Sequence, residues 1–533
     1  MFMKKIVVLF ALLVFVSLAV GAQTLTLNKG DHVCLIGNAL ADRMQHHSWL
    51  ETLIYARFPN HDLVFRNLAA SADEVATWHR SENFGSRDEW LTRTKADVIL
   101  AFYGFNESFQ GAGGLEKFKQ DLDKFVKDMK AKNFSGKGSP RLVLFAPLAN
   151  EKLDDPNMPD PTANNENLRL YSAAMAEVAK ADGIQFVDLY ARSQEVYAQA
   201  AKRKQSLTFN TIHLTELGDK ALAPEIFRDL FGETAPSGHL EKLRAAVNDK
   251  NAEWHARYRT VDGYNVYGGR SKLTFPKAGK DSPKISNFDV MQEEMSQRDV
   301  KTANRDRRLW AVAKGSDLKV DDSNLPAVDT LASSKPGPNP DGSHVFLSGE
   351  EAIKHMTLAQ GCKVNLFASE EQFPELVSPV QMAFDTKGRL WVAAWPSYPE
   401  RRPTDKVADK LLVFEDTNGD GKADKVSTFL DGLNCPTGFQ FYKDGVLVMQ
   451  APDLWFVRDI NGDGKADWKE RVLMGMDSAD SHHTANSMVL DPGGATYLSD
   501  GVFHRTQVET AEGPVRNMDA AIFRYEQIGR AHV

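Results

Sequence analysis

The stretch Asp416-Thr-Asn-Gly-Asp-Gly-Lys-Ala-Asp424 returns almost word for word as Asp459-Ile-Asn-Gly-Asp-Gly-Lys-Ala-Asp467. In both, side-chain oxygens fall at alternate positions: Asp416, Asn418 and Asp420, then Asp459, Asn461 and Asp463. A glycine follows for the sharp turn, Lys422 and Lys465 offer backbone carbonyls, and Asp424 and Asp467 close the set. Hard oxygens converging from a tight curve are what Ca2+ takes. An acidic turn exposed to water is the plainer reading of a single copy, and repetition argues against it.

The step from 416 to 459 lies in the range of about 40 to 50 residues that marks propeller blades and similar arrays. Strand-like runs at 410–414 and 453–457 precede the loops, and runs at 426–430 and 471–473 follow them, so each loop is expected to tie a hairpin. Helices do not flank the loops, which predicts structural calcium clips and not a calcium sensor. Around them the sequence strand, Asp/Gly turn, strand recurs at 380–394, 438–450 and 488–498. Residues 345–527 therefore read as a partial all-β propeller, with room for about four blades at this period.

With 533 residues, 42% hydrophobic and 26% charged, the chain has the make-up of globular material divided into about three domains. Lys4 and Lys5, an apolar run over 6–20 and the small Ala22 make residues 1–22 a signal peptide, which predicts a secreted or periplasmic protein. A formal net charge of −8 argues against a nucleic-acid partner. Cys34, Cys362 and Cys435 show no metal or redox spacing, and a Cys362–Cys435 disulfide stays open.

Between 32 and 232, apolar strands (32–36, 63–68, 97–102, 141–146, 185–189) alternate with amphipathic segments such as 115–129 and 164–181. The alternation predicts a parallel sheet covered on both faces, with ligands beyond the carboxyl ends of its strands. Those ends carry Gly37-Asn-Ala39, Asn67-Leu-Ala69, Gly104-Phe-Asn-Glu107 and, late in the domain, Asn210-Thr-Ile-His213. In order and spacing these stretches resemble the four blocks of the SGNH (GDSL-type) hydrolases. The resemblance implies a flavodoxin-like, three-layer α/β domain over 23–235. It implies a nucleophilic serine from the first block, oxyanion donors from the second and third, and a histidine with its aspartate from the last. The catalytic candidates are then Gly104, Asn106, Asn210 and His213.

Gly37, Asn67, Gly104, Asn106 and His213 agree with that pattern. Ala39, however, stands where the serine belongs, Asn38 replaces an aspartate, Ala69 a glycine and Asn210 the triad aspartate. A methyl group cannot attack a carbonyl, and losing the nucleophile of a serine hydrolase costs on the order of a million-fold in turnover. An amide in place of the orienting carboxylate costs on the order of ten-thousand-fold where the imidazole tautomer goes wrong. Ser71, close to the second block, is a poor substitute nucleophile, and water activated by His213 is the other route to slow hydrolysis. Arg66, Arg80 and Glu107 read as paired or solvated charges.

Residues 236–314 read as a helical extension packed on this domain, with Trp254 and Tyr258 one turn apart and facing it. Residues 315–344, rich in Asp, Ser, Pro and Gly, read as a flexible linker. The last domain resembles the propeller of membrane-bound-dehydrogenase-type proteins related to quinone-dependent sugar dehydrogenases. The carrying stretches are Pro379-Val-Gln-Met-Ala-Phe384, the two acidic loops, Ser481-His-His-Thr-Ala-Asn486 and Gly501-Val-Phe-His-Arg505. That likeness implies a central channel ringed by His482, His483, His504 and Arg505. His483 would take a proton from a sugar hydroxyl, and the others would hold pyrroloquinoline quinone. Loop residues that fix neighbouring turns are the plainer alternative. A cytochrome c electron acceptor is implied beyond Gln527, because residues 528–533 read like a translated sequencing-library adapter and the natural chain is expected to continue.

The sequence thus predicts a multidomain, secreted, carbohydrate-active protein. A degenerate SGNH-fold domain binds or weakly deacylates an acylated glycan, and a calcium-stapled propeller follows. The alternatives are a non-catalytic polysaccharide-binding scaffold and an active esterase with an unorthodox nucleophile.

Overall fold

Apolar side chains at every position of Val33-Cys-Leu-Ile36 and Val98-Ile-Leu-Ala-Phe102 leave these strands no face for water, so both sides must be covered. The computed structural model describes residues 24–261, 266–277, 282–329, 339–341, 343–398, 401–481, 483–526 and 530–532. Within it β1 (His32–Gly37), β2 (Val64–Asn67), β3 (Val98–Phe102), β4 (Arg141–Phe145) and β5 (Gln185–Val187) form one parallel sheet in the order β2-β1-β3-β4-β5. Helices α1 (Ala39–His47), α2 (Trp49–Arg57), α3 (Arg87–Arg93), α4 (Gly111–Lys130), α5 (Thr162–Asp182), α6 (Leu189–Ala201) and α7 (Glu216–Phe231) build the two outer layers. Val33, Leu35, Val98 and Leu100 meet Met44, Ile54, Val196 and Ile226 of α1, α2, α6 and α7. The alternate residues Cys34, Ile36, Ile99 and Ala101 meet Trp90, Leu122, Tyr171 and Met175 of α3, α4 and α5. Each fully buried Leu, Ile, Val or Phe contributes about 1.5–3 kcal/mol, so this double packing fixes the layers.

A short hairpin, β6 (Thr274–Pro276) with β7 (Lys284–Ser286), separates α8 (Glu241–Arg259) from α9 (Asn287–Ala313), and both helices lie on the first domain. The Trp254 indole N–H donates to the Asn67 carbonyl and the Tyr258 hydroxyl to the Leu68 carbonyl, each at 2.7 Å. Arg66 is paired with Asp306 of α9 at 2.6 Å. Residues 316–329 lie along α9. Asn304 and Arg305 donate to Asp322, Gln297 donates to the Pro326 carbonyl, and the Asp329 N–H donates to Glu293. The polar residues of this segment are partners for the polar side of α9.

The C-terminal region is all-β and holds several antiparallel sheets. In the first, β8 (Pro379–Phe384), β9 (Leu390–Ala394), β10 (Asp409–Glu415) and β11 (Lys425–Leu433) pair in chain order; in the second, β12 (Gly438–Tyr442), β13 (Gly445–Gln450), β14 (Asp453–Arg458) and β15 (Trp468–Met474) do the same. The two acidic loops join β10 to β11 and β14 to β15, so each ties a hairpin. In the third sheet β16 (Asn486–Leu490), β17 (Thr496–Asp500), β20 (Ala521–Glu526) and β21 (Arg530–His532) pair in that order, and the hairpin β18 (Gln507–Thr510) with β19 (Gly513–Arg516) is inserted along the chain between β17 and β20. Cys34 and Cys435 are buried and Cys362 is exposed, and no disulfide joins Cys362 to Cys435 in this structure. The expected signal peptide lies outside the described residues. Among the described residues no helix is long and apolar enough to cross a membrane.

Candidate functional site

A β-carbon on Gly37 would lie 1.9 Å from the Phe102 carbonyl oxygen, and its φ is 121°. Only glycine lets β1 run this close to the end of β3. The chain then turns into α1, where the Asn38 side chain caps the Leu40 N–H and the Ala39 N–H is left pointing off the sheet edge. Asn106 follows β3 and His213 precedes α7, and the fold brings both to the same edge. What they meet there is Glu509 of β18. Its Oε2 accepts from the Ala39 N–H at 3.2 Å and from Asn106 Nδ2 at 2.8 Å. The Ala72 backbone, held at φ 62°, lies beside the same carboxyl group and favours its charged form. Glu509 Oε1 lies 3.5 Å from His213 Nε2.

The histidine is held in a particular form. The Asn210 Oδ1 accepts from the His213 backbone N–H at 2.9 Å, which fixes the amide orientation and turns Nδ2 toward the ring Nδ1 at 3.1 Å. An amide N–H can only donate there, so Nδ1 is the acceptor and Nε2 carries the proton. Burial, seconded by Arg43, pushes the imidazole well below its usual range, so it stays neutral. His213 therefore presents a donor to the cleft, where a hydrolase needs a base.

Two other sequence assignments need correction. Gly104 turns its N–H to Glu107 Oε2 at 2.9 Å, away from the cleft, while Oε1 accepts from Val75 at 2.9 Å. Burial lifts that Glu107 carboxyl to about 7. Asn67 is a brace, donating to the Ala41 carbonyl at 2.6 Å and accepting from the Ala69 N–H at 2.9 Å. Ser71 is buried, and its Oγ accepts from the Glu509 N–H at 3.1 Å, so this hydroxyl holds the hairpin in place. Arg80 is paired with Asp73 at 2.7 Å. Among the described residues the space left beside Glu509, walled by Met44, His47, Phe105, Leu148 and Ile212, is about 30 Å³, room for about two water molecules.

The C-terminal candidates sit elsewhere. His483 Nδ1 is bonded to Asp480 at 2.9 Å. Burial opposes charge on His504, but its 2.7 Å bond to Asp500 and the Asp477 carboxylate outweigh that and raise it to about 9. The Arg505 N–H donates to Asp477 Oδ2 at 2.6 Å, and the same carboxylate accepts from Ser81 of the first domain. Phe503, beside them, packs on Gly268 and Gly269. Asp477 thus links the Arg505 backbone to the first domain through Ser81. Both imidazoles meet their carboxylates through Nδ1, and Nε2 of His504 is buried without a hydrogen-bond partner among the described residues. His482 lies outside the described residues.

The two acidic loops fold alike. Asp416 accepts from Gly419 at 2.7 Å and Gly421 at 2.8 Å, and Asp459 accepts from Gly462 and Gly464 at the same two distances. Asp424 and Asp467 accept from backbone N–H groups at the start of their loops. Asn418 and Asn461 accept from the N–H groups of Asp420 and Asp463, which in turn accept from those of Lys422 and Lys465. Among the described residues no three Asp, Glu, His or Cys side chains are gathered on one point.

Comparison with known proteins matches residues 37–221 to the GDSL-like lipase/acylhydrolase family and residues 348–532 to a domain of unknown function, DUF7133. No curated protein matches the chain. Among solved structures, a gut microbial diltiazem-metabolizing enzyme is 20% identical with a TM-score of 0.32, over 39% of this chain and 49% of that one. The chain thus spans about half the length of that enzyme. A catalytic mutant of an acetylxylan esterase from Geobacillus stearothermophilus is 16% identical with a TM-score of 0.32, over 40% of this chain and 100% of that one. An alpha/beta hydrolase enzyme from the metagenome of Lake Arreo, Spain, is 18% identical with a TM-score of 0.29, over 38% and 96%.

Proposed function

We propose that this chain is an exported, non-hydrolytic scaffold built on an acylhydrolase-like domain, with an acylated glycan as its ligand class. The observation that carries the reading is the pairing of a kept oxyanion cradle with a dismantled attack. Ala39 and Asn106 still aim N–H groups at one oxygen, yet a methyl stands at the nucleophile position and Asn210 leaves the proton on His213 Nε2. The glycan assignment leans on the acylhydrolase-type domain and on the likeness of the C-terminal stretches to sugar-handling propellers. The test is turnover of p-nitrophenyl acetate by the chain and by His213→Ala. Equal rates at the solvent background are expected, and a rate that disappears in the variant would overturn the reading.

We infer further that the antiparallel sheets are propeller blades carrying calcium clips. The chain-order pairing within the first two sheets supports the blade reading. So do Met382, Phe384, Val489 and Ile522, apolar side chains left exposed on the first and third sheets. The matched hydrogen bonding of the two loops supports the clips, since both present Asp, Asn, Asp and a backbone carbonyl from an already closed turn. Adding millimolar Ca2+ to chelator-treated protein is expected to raise its melting temperature with saturation. Asp416→Ala combined with Asp459→Ala should abolish the rise. An equal response to Ca2+ in both proteins would rule the clips out.

A further inference from the structure

We propose that the oxyanion cradle is a carboxylate socket, occupied in this chain by Glu509 of the inserted hairpin, through which the C-terminal region docks and into which small carboxylates such as acetate bind once that side chain is removed. The inference deepens the non-hydrolytic reading and rests on it. Three N–H groups face the Glu509 carboxyl: the Ala39 N–H at 3.2 Å, Asn106 Nδ2 at 2.8 Å and, at 3.5 Å, the protonated His213 Nε2. A converging set of N–H groups that suits an oxyanion suits a carboxylate equally well. The donors draw the carboxyl toward its charged form while burial, the larger effect, raises it to about 7.

The rest of the hairpin is fitted to hold that side chain in register. Gln507 Nε2 donates to Asp73 at 2.7 Å, Arg516 Nη2 to the Ala72 carbonyl at 2.5 Å, and the Glu509 N–H to Ser71. Ala511 at the tip packs among Phe105, Leu168 and Ile212. Gly475 is the only residue type that fits beneath, since a β-carbon there would lie 1.9 Å from the Gln507 carbonyl oxygen. Contacts on both sides of Glu509 fix where the carboxyl lands. With it in place, the Glu509 carboxyl occupies the point at which the Ala39 and Asn106 N–H groups converge.

The experiment uses the full chain and its Glu509→Ala variant, with sodium acetate as the probe and sodium chloride at equal ionic strength as control, read as melting temperature at pH 7. The variant is expected to melt several degrees below the wild type. Acetate, and not chloride, should recover part of that loss in a saturable way, while leaving the wild type unmoved because its socket is full. Asn106→Ala added to Glu509→Ala should erase the acetate effect. If Glu509→Ala does not fold in plain buffer, the folded yield on refolding with acetate against chloride reads the same quantity. Equal acetate response in wild type and variant, no response in the variant, or an effect that survives Asn106→Ala would each overturn the socket. The two readings fail separately. Ester turnover that depends on His213 sinks the non-hydrolytic reading, whereas absence of an acetate effect with turnover at background sinks only the socket.

Discussion

A chain carrying Ala39→Ser, Asn210→Asp and Glu509→Gly together should hydrolyse p-nitrophenyl acetate at least about a hundredfold faster than the unaltered chain, because three separate defects are removed at once. Serine at 39 supplies a nucleophile at the corner whose N–H already faces the cradle. Aspartate at 210 accepts from Nδ1 of His213, moves the proton off Nε2 and makes that atom the base. Removing the Glu509 side chain empties the position that a substrate's developing oxyanion would take. Residues that act as a unit do not contribute additively, so each change alone should leave turnover near background. The measurement is kcat/KM for the triple variant and its three single parents. A triple variant at background would mean that the first domain has lost more of the hydrolase geometry than these three side chains, while a single variant with the full gain would show that one defect alone silences the site.

The distribution of what the sequence disclosed follows from the range of the interactions involved. Alternation and turn residues act over a few positions, so β10, β14 and the loops after them were legible, as were the five strands of the parallel sheet. Asn210 and His213 are three residues apart, so their contact could be read from spacing alone. The Glu509 contact joins positions 470 apart to Ala39 and 403 apart to Asn106, and nothing in Gln507-Val-Glu-Thr510 distinguishes a plug from an ordinary strand. Ala72 contributes through its backbone, which leaves no side-chain signature except an alanine held at a φ that favours glycine. His504 and Arg505 looked like a cofactor set because clustered basic residues suit that role. Only the fold reveals that Asp500 holds the His504 ring and that the Arg505 guanidinium lies beside Asp519.

Asp219→Asn should stabilise the protein at pH 8, and by clearly less at pH 5. Asp219 sits in α7 with its carboxyl buried beside the cleft, and its Oδ2 accepts only a long bond, 3.4 Å, from the Trp49 N–H. Burial raises it from 3.8 to about 7. The folded chain therefore keeps its proton over a pH range in which the unfolded chain has already released it. Where the folded state binds the extra proton, stability falls as pH rises. The loss begins near the unfolded pKa of 3.8 and is complete above about 7. At about 1.4 kcal/mol per pH unit the full effect is at most about 4 kcal/mol, lessened by any water that reaches the site. Asparagine keeps an oxygen for the Trp49 N–H and never ionises, so it escapes the loss. Melting temperatures of the two proteins at pH 5 and pH 8 provide the check, and groups common to both cancel in the difference. The variant should gain several degrees at the higher pH, and a gap of the same sign and size at both pH values would show that Asp219 is ionised throughout, with its burial compensated by partners other than Trp49.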